Sequence, residues 1–200
     1  MSEDPFADTE TTQEEILAAT YRALCTEGYA DITIKSIGEQ FEKSPSLIYR
    51  HYEGKDDLVR SCLEYLLEGF ESQHTSGEFE KPREELDEFV TSMTATDLDD
   101  EERQFMATLV ALRARGVTDE EYRQLFTRSD AILKSHLVSI IESGIDTGEF
   151  QQCTPESVAE TLLAILSGVS TRQATSMSDE WVTGVRSEVN EYLKLRVYAE

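Results

Sequence analysis

The sequence predicts an all-α protein in which an N-terminal three-helix domain of helix-turn-helix type is joined to a larger helical domain. Apolar residues recur at helical spacing along most of the 200 residues, and no segment alternates as a strand would. Residues 33–52 resemble a short helix, a tight turn and a second helix. The expected organisation is an acidic N-terminal tail at 1–12, a helix-turn-helix domain at 13–58 and a larger helical domain at 59–200.

Four helices are expected before residue 72. The first spans Glu14–Glu27, and Gly28 follows where a left-handed cap is usual. Thr33 caps a second helix that exposes Lys35 and Ser36 at its start. Ser44 and Pro45 open a third helix, which Gly54 ends, and a fourth helix begins at Asp56 and extends to about Phe70.

The rest of the chain is expected to be helical at every long segment. The last helix has a single apolar face, whereas Val158–Val169 is apolar nearly all round. The final two helices are therefore expected to cover each other and a second subunit. The predicted helices are Glu84–Thr94, Asp100–Arg115, Thr118–Ile145, Pro155–Gln173 and Asp179–Tyr198.

The charge of the chain is strongly asymmetric. There are 41 acidic and 18 basic residues, for a net charge of -23, which normally disfavours binding to nucleic acid. Residues 33–60, however, hold five acids and five bases, so DNA is expected to dock there. Because the apolar periodicity argues for a folded protein, we interpret the acidity as adaptation to a salty, haloarchaeal cytoplasm. An ordinary acidic mesophilic protein is the alternative.

Other sequence features restrict the class of protein. Cys25, Cys62 and Cys153 lie far apart without a nearby histidine, which predicts reduced thiols in a cytoplasmic protein and neither a metal site nor a cofactor. The N-terminus has no apolar core typical of a signal peptide. The longest apolar stretch is too short to span a membrane. Because the cysteines lack a neighbouring histidine and no metal constellation is evident, an enzyme is not expected.

Candidate DNA contacts lie on and around the third helix. If Leu47 and Ile48 face the core, Tyr49 and Arg50 project outward; the alternative buries Tyr49 with Tyr52, and burial is expected for Tyr52 only. The starts of the second and fourth helices can hold phosphate. The full predicted DNA-binding set is Thr33, Lys35, Ser36, Lys43, Ser44, Pro45, Ser46, Tyr49, Arg50, His51 and Lys55.

The span Ile16–Leu58 resembles the DNA-binding domain of TetR/AcrR regulators. It reads LAATYRALCTEGYADITIKSIGEQF and, further on, SPSLIYRHYEGKDDL. The chain departs from the family where Glu42-Lys43 replaces the usual Gly-Val and Ser46-Leu47 the frequent Gly-Thr, so base specificity is not carried over. The resemblance implies that residues 59–200 bind a small ligand and pair two subunits through the last two helices. Residues 143–150 resemble the turn before the family's penultimate helix.

The expected function is that of a ligand-responsive transcriptional regulator, a repressor released from its operator by a small molecule. Its partners would be double-stranded operator DNA, an unidentified effector and a second copy of the chain. The alternative is an acidic dimeric regulator that acts through protein contacts. Side chains of the later helices are candidates for the ligand pocket, although at this spacing they are more often ordinary core: Phe105, Met106, Leu109, Tyr122, Phe126 and His136.

Overall fold

The computed structural model describes residues 5–7, 9–41, 45–74 and 79–199, without the side chains of residues 45, 73 and 74. The regular secondary structure of the described residues is helical, apart from an isolated antiparallel bridge between Phe150 and Tyr198, which confirms the all-α prediction. The helices are α1 (Thr12–Asp31), α2 (Ile34–Glu39), a 3₁₀ helix (Pro45–Leu47), α3 (Ile48–His51), α4 (Lys55–His74), α5 (Pro82–Met93), α6 (Asp100–Arg115), α7 (Glu120–Thr147), α8 (Pro155–Thr175) and α9 (Glu180–Arg196).

Helix boundaries follow the cap signals of the sequence. Thr11 and Glu14 form a reciprocal capping box at the start of α1, and Asp99 and Glu102 form another at the start of α6. Gly28 interrupts α1 with φ 73° and ψ 165°, a backbone conformation that only glycine adopts readily. The predicted left-handed position is therefore confirmed, although helical turns continue to Asp31.

The third helix differs from the prediction. Pro45 opens a 3₁₀ turn, and α3 ends at His51 because Tyr52 is extended, with φ -133° and ψ 140°. Gly54 was predicted to end this helix, but the helix ends earlier. The Gly54 carbonyl instead accepts the hydrogen bond from the Leu58 amide at 3.0 Å and so opens α4. At the start of α8, Thr154 occupies the expected cap position, but its side chain makes no capping hydrogen bond.

The chain forms two compact units. The first comprises residues 1–72 and 99–126, and the second residues 73–98 and 127–200, so the predicted 13–58 domain lies within the first unit. In the first unit α1 packs along α6 over a core that includes Leu24, Ile37 and Ile48. Phe6, in the segment interpreted as an acidic tail, is buried in this core and stacks on Tyr65 at 4.9 Å between ring centroids.

The second unit packs α5, the later part of α7, α8 and α9 around buried leucine, isoleucine and valine side chains. Polar side chains fasten the end of α5: Gln173 donates to the Ala95 carbonyl at 2.8 Å, and Arg186 donates to both the hydroxyl and the carbonyl of Thr94. Tyr198 donates to Asp87. Among the helices described, none is long and apolar enough to cross a membrane.

Candidate nucleic-acid interface

The start of α2 is held by a reciprocal cap. The Thr33 hydroxyl accepts from the Ser36 amide at 3.0 Å, while the Ser36 hydroxyl accepts from the Thr33 amide at 2.9 Å. Thr33 and Lys35 are exposed and Ser36 is half-buried. Because the two hydroxyls accept from the Thr33 and Ser36 amides, they hold the backbone of the first turn that carries Lys35, even though the helix has only six residues.

Residues 46–52 divide between the core and the surface as a recognition helix requires. Ile48 is fully buried and Tyr52 is 5% exposed, whereas Tyr49 is 66% exposed. Ser46, Arg50 and His51 are exposed as well. Burial raises the pKa of Tyr52, so its phenol stays neutral in the core. The structure thus confirms the interpretation that buries Tyr52 and leaves Tyr49 projecting.

Three predicted contacts fall in or beside the turn. Lys43 and Ser44 lie outside the described residues, as does the Glu42-Lys43 departure from the family pattern. Pro45 begins the 3₁₀ helix, and its side chain is not described.

Lys55 is the first residue of α4, and its surroundings are specific. Its ammonium nitrogen lies 4.4 Å from the centroid of the Tyr29 ring, a cation–π distance. The Tyr29 hydroxyl donates to Asp56 Oδ1, and the Glu53 amide donates to Asp57 at 3.0 Å. An aromatic ring therefore lies against this cation, and the two aspartates that follow it in the first turn of α4 are held by hydrogen bonds.

Arg115, at the end of α6, joins this cluster, although it was not among the predicted site residues. Its guanidinium donates to both carboxylate oxygens of Asp56, at 3.3 and 3.0 Å, and to Asp119 at 3.4 Å. It also lies over the rings of Tyr29 and Tyr122, at 5.2 and 4.8 Å. No local pattern could have shown this contact, because Arg115 and Asp56 are 59 residues apart.

Two of the bases in residues 33–60 form ion pairs with acidic side chains in the structure. Lys35 pairs with Glu39 at 3.8 Å, but both side chains are largely exposed, so the pair is weak and Lys35 can turn to another anion. In the same unit, Arg60 bridges Asp57 and Glu121. The exposed Lys35 and Arg50 and the half-buried Lys55 thus stand out from an otherwise acidic protein.

The candidate ligand residues divide between the two units. Phe105, Leu109 and Phe126 are half-buried against the core of the first unit, where Phe105 packs edge-to-face on Tyr21 at 5.0 Å. Burial raises the pKa of Tyr122 to about 12. Met106 is half-buried in this unit too, whereas His136 is buried in the second unit beside Phe79 and Phe89, at 5.6 and 5.9 Å.

A shallow apolar groove of about 400 Å³ lies along α8 and α9. Arg172 stacks on Trp181 at its edge, 4.0 Å from the ring. Two of its aliphatic members, Ile165 and Val185, are only half-buried, so α8 keeps part of its apolar surface uncovered. The groove is lined by Ile165, Trp181, Gly184, Val185, Glu188, Val189 and Tyr192.

Comparison with known proteins agrees with this geometry. Residues 16–62 match the family described as bacterial regulatory proteins of the tetR family, and residues 82–194 match the BetI-type transcriptional repressor C-terminal family. The class defined by fold and site is therefore a helix-turn-helix regulator of transcription, and not an enzyme. The chain belongs to the TetR family.

Individual relatives match nearly the whole chain. The crystal structure of a TetR transcription regulator from Haloarcula marismortui is 31% identical, covers 93% of this chain and 98% of its own, and has a TM-score of 0.78. The HTH-type transcriptional regulator BetI of Brucella anthropi is 22% identical over 94% of both chains. A regulator from Saccharomonospora viridis, solved in complex with choline, shares the fold with 17% identity, a TM-score of 0.74, and coverage of 94% and 98%.

Proposed function

We propose that this TetR-family chain is a ligand-responsive repressor that binds operator DNA as a homodimer and leaves it when a small molecule binds. The observation that carries the proposal is the exposed side of residues 46–51, which projects Tyr49, Arg50 and His51 from a helix anchored by buried Ile48 and Tyr52. Side chains in this arrangement can reach base edges in the major groove.

Phosphate contacts on either side would fix the position of this helix. Lys35 in the first turn of α2 and Lys55 in the first turn of α4 would carry the positive charge for these contacts. Thr33, Ser36 and Ser46 add hydroxyls, and Lys43, Ser44 and Pro45 complete the proposed set. Since phosphate contacts position the protein and base contacts specify the sequence, Tyr49 and Arg50 are the proposed base readers.

The proposed dimer interface is the groove along α8 and α9. Its apolar, half-buried lining is typical of a surface that a second helix pair covers. A two-fold dimer would place two α3 helices about one DNA turn apart, some 34–36 Å. An effector that favours a different separation lowers operator affinity through a coupling free energy of about 1–3 kcal/mol.

For the effector we propose a quaternary ammonium compound of the choline type as the first candidate. The matching family is BetI-type, and choline is bound by the Saccharomonospora relative. In the second unit, Phe79 and Phe89 flank His136, and aromatic faces are the groups that attract a quaternary ammonium. The earlier candidates Phe105, Met106, Leu109, Tyr122 and Phe126 remain alternatives for the pocket.

We further propose that the acidic surface is an adaptation to molar salt, where a screening length of about 3 Å removes most self-repulsion. The similarity to the Haloarcula structure supports this proposal. The net charge of -23 also favours a second candidate function, a regulator that acts through protein contacts, because so acidic a chain is repelled by phosphate at low salt.

The deciding experiment measures fluorescence anisotropy of the chain's own promoter DNA, titrated with protein at KCl concentrations from low to molar. Tyr49→Ala is expected to lower affinity by about tenfold. Met177→Ala is the control, since this exposed side chain lies in the other unit. Unchanged affinity in Tyr49→Ala, or a folded dimer that binds no DNA at any KCl concentration, would contradict the proposal; the second result favours the protein-contact function.

Choline is then added to the protein–DNA complex in the same assay. Release of DNA is expected, and by reciprocity operator DNA must weaken choline binding by the same factor. Choline that binds without releasing DNA would refute this effector mechanism. No binding of choline would refute the choice of effector while leaving DNA binding intact.

A further inference from the structure

We infer that Arg115 is a positioning residue for DNA binding: it holds Asp56 and the Tyr29 ring, and thereby fixes Lys55 at the position where it meets a backbone phosphate. The inference rests on the proposed function, because it concerns how one of the proposed phosphate contacts is placed. Arg115 itself belongs to the end of α6, outside the helix-turn-helix segment.

The first step is the connection between Arg115 and the start of α4. The guanidinium donates to both oxygens of the Asp56 carboxylate, and this two-point contact fixes orientation as well as distance. Asp56 follows Lys55 directly in the first turn of α4. Anchoring its carboxylate therefore anchors the backbone that carries Lys55.

The second step is the Tyr29 ring. Its hydroxyl donates to Asp56, so the same carboxylate also fixes the ring. The ring lies 4.4 Å from the Lys55 ammonium and 5.2 Å from the Arg115 guanidinium. A long, flexible lysine side chain thus has one preferred location, and less of its freedom is lost when it binds a phosphate.

The third step separates this role from ordinary stabilisation. The Arg115 side chain is 34% exposed and that of Asp56 52% exposed, and ion pairs with such access to water add little to folding. The geometry nevertheless joins α1, α4, α6 and α7, since Arg115 also contacts Asp119, which directly precedes α7, and the Tyr122 ring.

The test is a double-mutant cycle on operator affinity. Lys55→Gln and Arg115→Gln are each expected to lower affinity by about tenfold and to reduce the slope of log K against log[KCl] by about 1. The double variant is expected to bind no more weakly than either single variant, because both changes remove the same phosphate contact. The control is Arg113→Gln, which removes the same charge from the same helix. Because Arg113 lies over Phe126 and not beside Asp56, this variant is expected to keep the wild-type slope.

Each other outcome overturns the inference. Additive losses in the double variant, or a wild-type salt slope in Arg115→Gln, would show that Lys55 finds its phosphate without Arg115. If circular dichroism shows that Arg115→Gln does not fold, Arg115→Lys and Asp56→Asn take its place in the cycle. Arg115→Lys is expected to give the same loss of operator affinity, because an ammonium cannot form the two-point contact with the Asp56 carboxylate. Wild-type protein that binds no DNA would defeat the proposed function first, which is a distinguishable result.

Discussion

Substitution of Gly28 by alanine tests the close approach of Gln104, on α6, to the backbone of α1. At φ 73° and ψ 165°, a residue with a Cβ atom pays about 1–3 kcal/mol. The new Cβ would also lie 1.9 Å from the Gln104 side-chain nitrogen on α6, which must move aside. The lower entropy of the unfolded alanine chain returns about 0.4–1 kcal/mol. We expect a net loss of about 2 kcal/mol, or roughly 4–8 °C in Tm for a chain of this size.

The assay is thermal and urea unfolding followed by circular dichroism, with two glycine controls. Gly148→Ala has a positive φ of 80° but no atom near the new Cβ, so it isolates the backbone cost, about 1–2 kcal/mol. Gly69→Ala, inside α4 and uncrowded, is expected to stabilise the protein slightly. Adding Gln104→Ala to Gly28→Ala should recover part of the loss. Stability within 0.5 kcal/mol of wild type for Gly28→Ala, roughly the level of an ordinary surface change, would refute the reasoning.

Three further predictions concern pH, salt and association. Burial raises the pKa of Tyr122 to about 12, while the phenol of the unfolded chain ionises near pH 10, so the free energy of unfolding falls as the pH rises through this window. Between pH 9 and 11, Tyr122→Phe should therefore lose less stability than the wild type, with the exposed Tyr49→Phe as the control. Equal losses in Tyr122→Phe and the wild type would contradict this account. If the acidic surface is a salt adaptation, Tm should rise steadily from 0.1 M to about 2 M KCl; a flat profile would leave the acidity without this explanation. Val185→Asp in the α8–α9 groove should convert dimer to monomer in light scattering, whereas Val117→Asp, exposed in the first unit, should not; a dimer that survives Val185→Asp would move the interface elsewhere.

Cap residues and apolar spacing predicted helix boundaries well where no distant contact changes them. Asp100–Arg115 begins and ends as predicted, because Asp99 and Gly116 flank an uninterrupted helical pattern. Tyr49 and Tyr52 are three residues apart and would share one face of a helix, so their opposite orientations follow from the extended backbone at Tyr52 and not from helical periodicity. The predicted end of the third helix was wrong because Gly54 was interpreted as its last position. The extended backbone at Tyr52 already stops the helix and places the Tyr52 ring in the core.

Contacts between distant segments were beyond the reach of sequence reasoning. Nothing near Arg115 indicates that it grips Asp56, and nothing near Phe6 indicates that an acidic N-terminal segment contributes a buried ring. Likewise, the candidate ligand residues were grouped by helical spacing alone, although His136 belongs to a different unit from the other five. Spacing identifies the apolar face of a helix but not the element that the face meets.

The shortness of α3 limits how much sequence one subunit can read. The 3₁₀ turn and α3 together contain seven residues and extend about 12 Å, the length of three to four base-pair steps. A half-site of that length recurs many times in any genome, so one subunit alone cannot select a promoter. Selectivity must then come from requiring two such half-sites at a set spacing. Under the proposed dimer, that spacing is determined by helices that never touch a base.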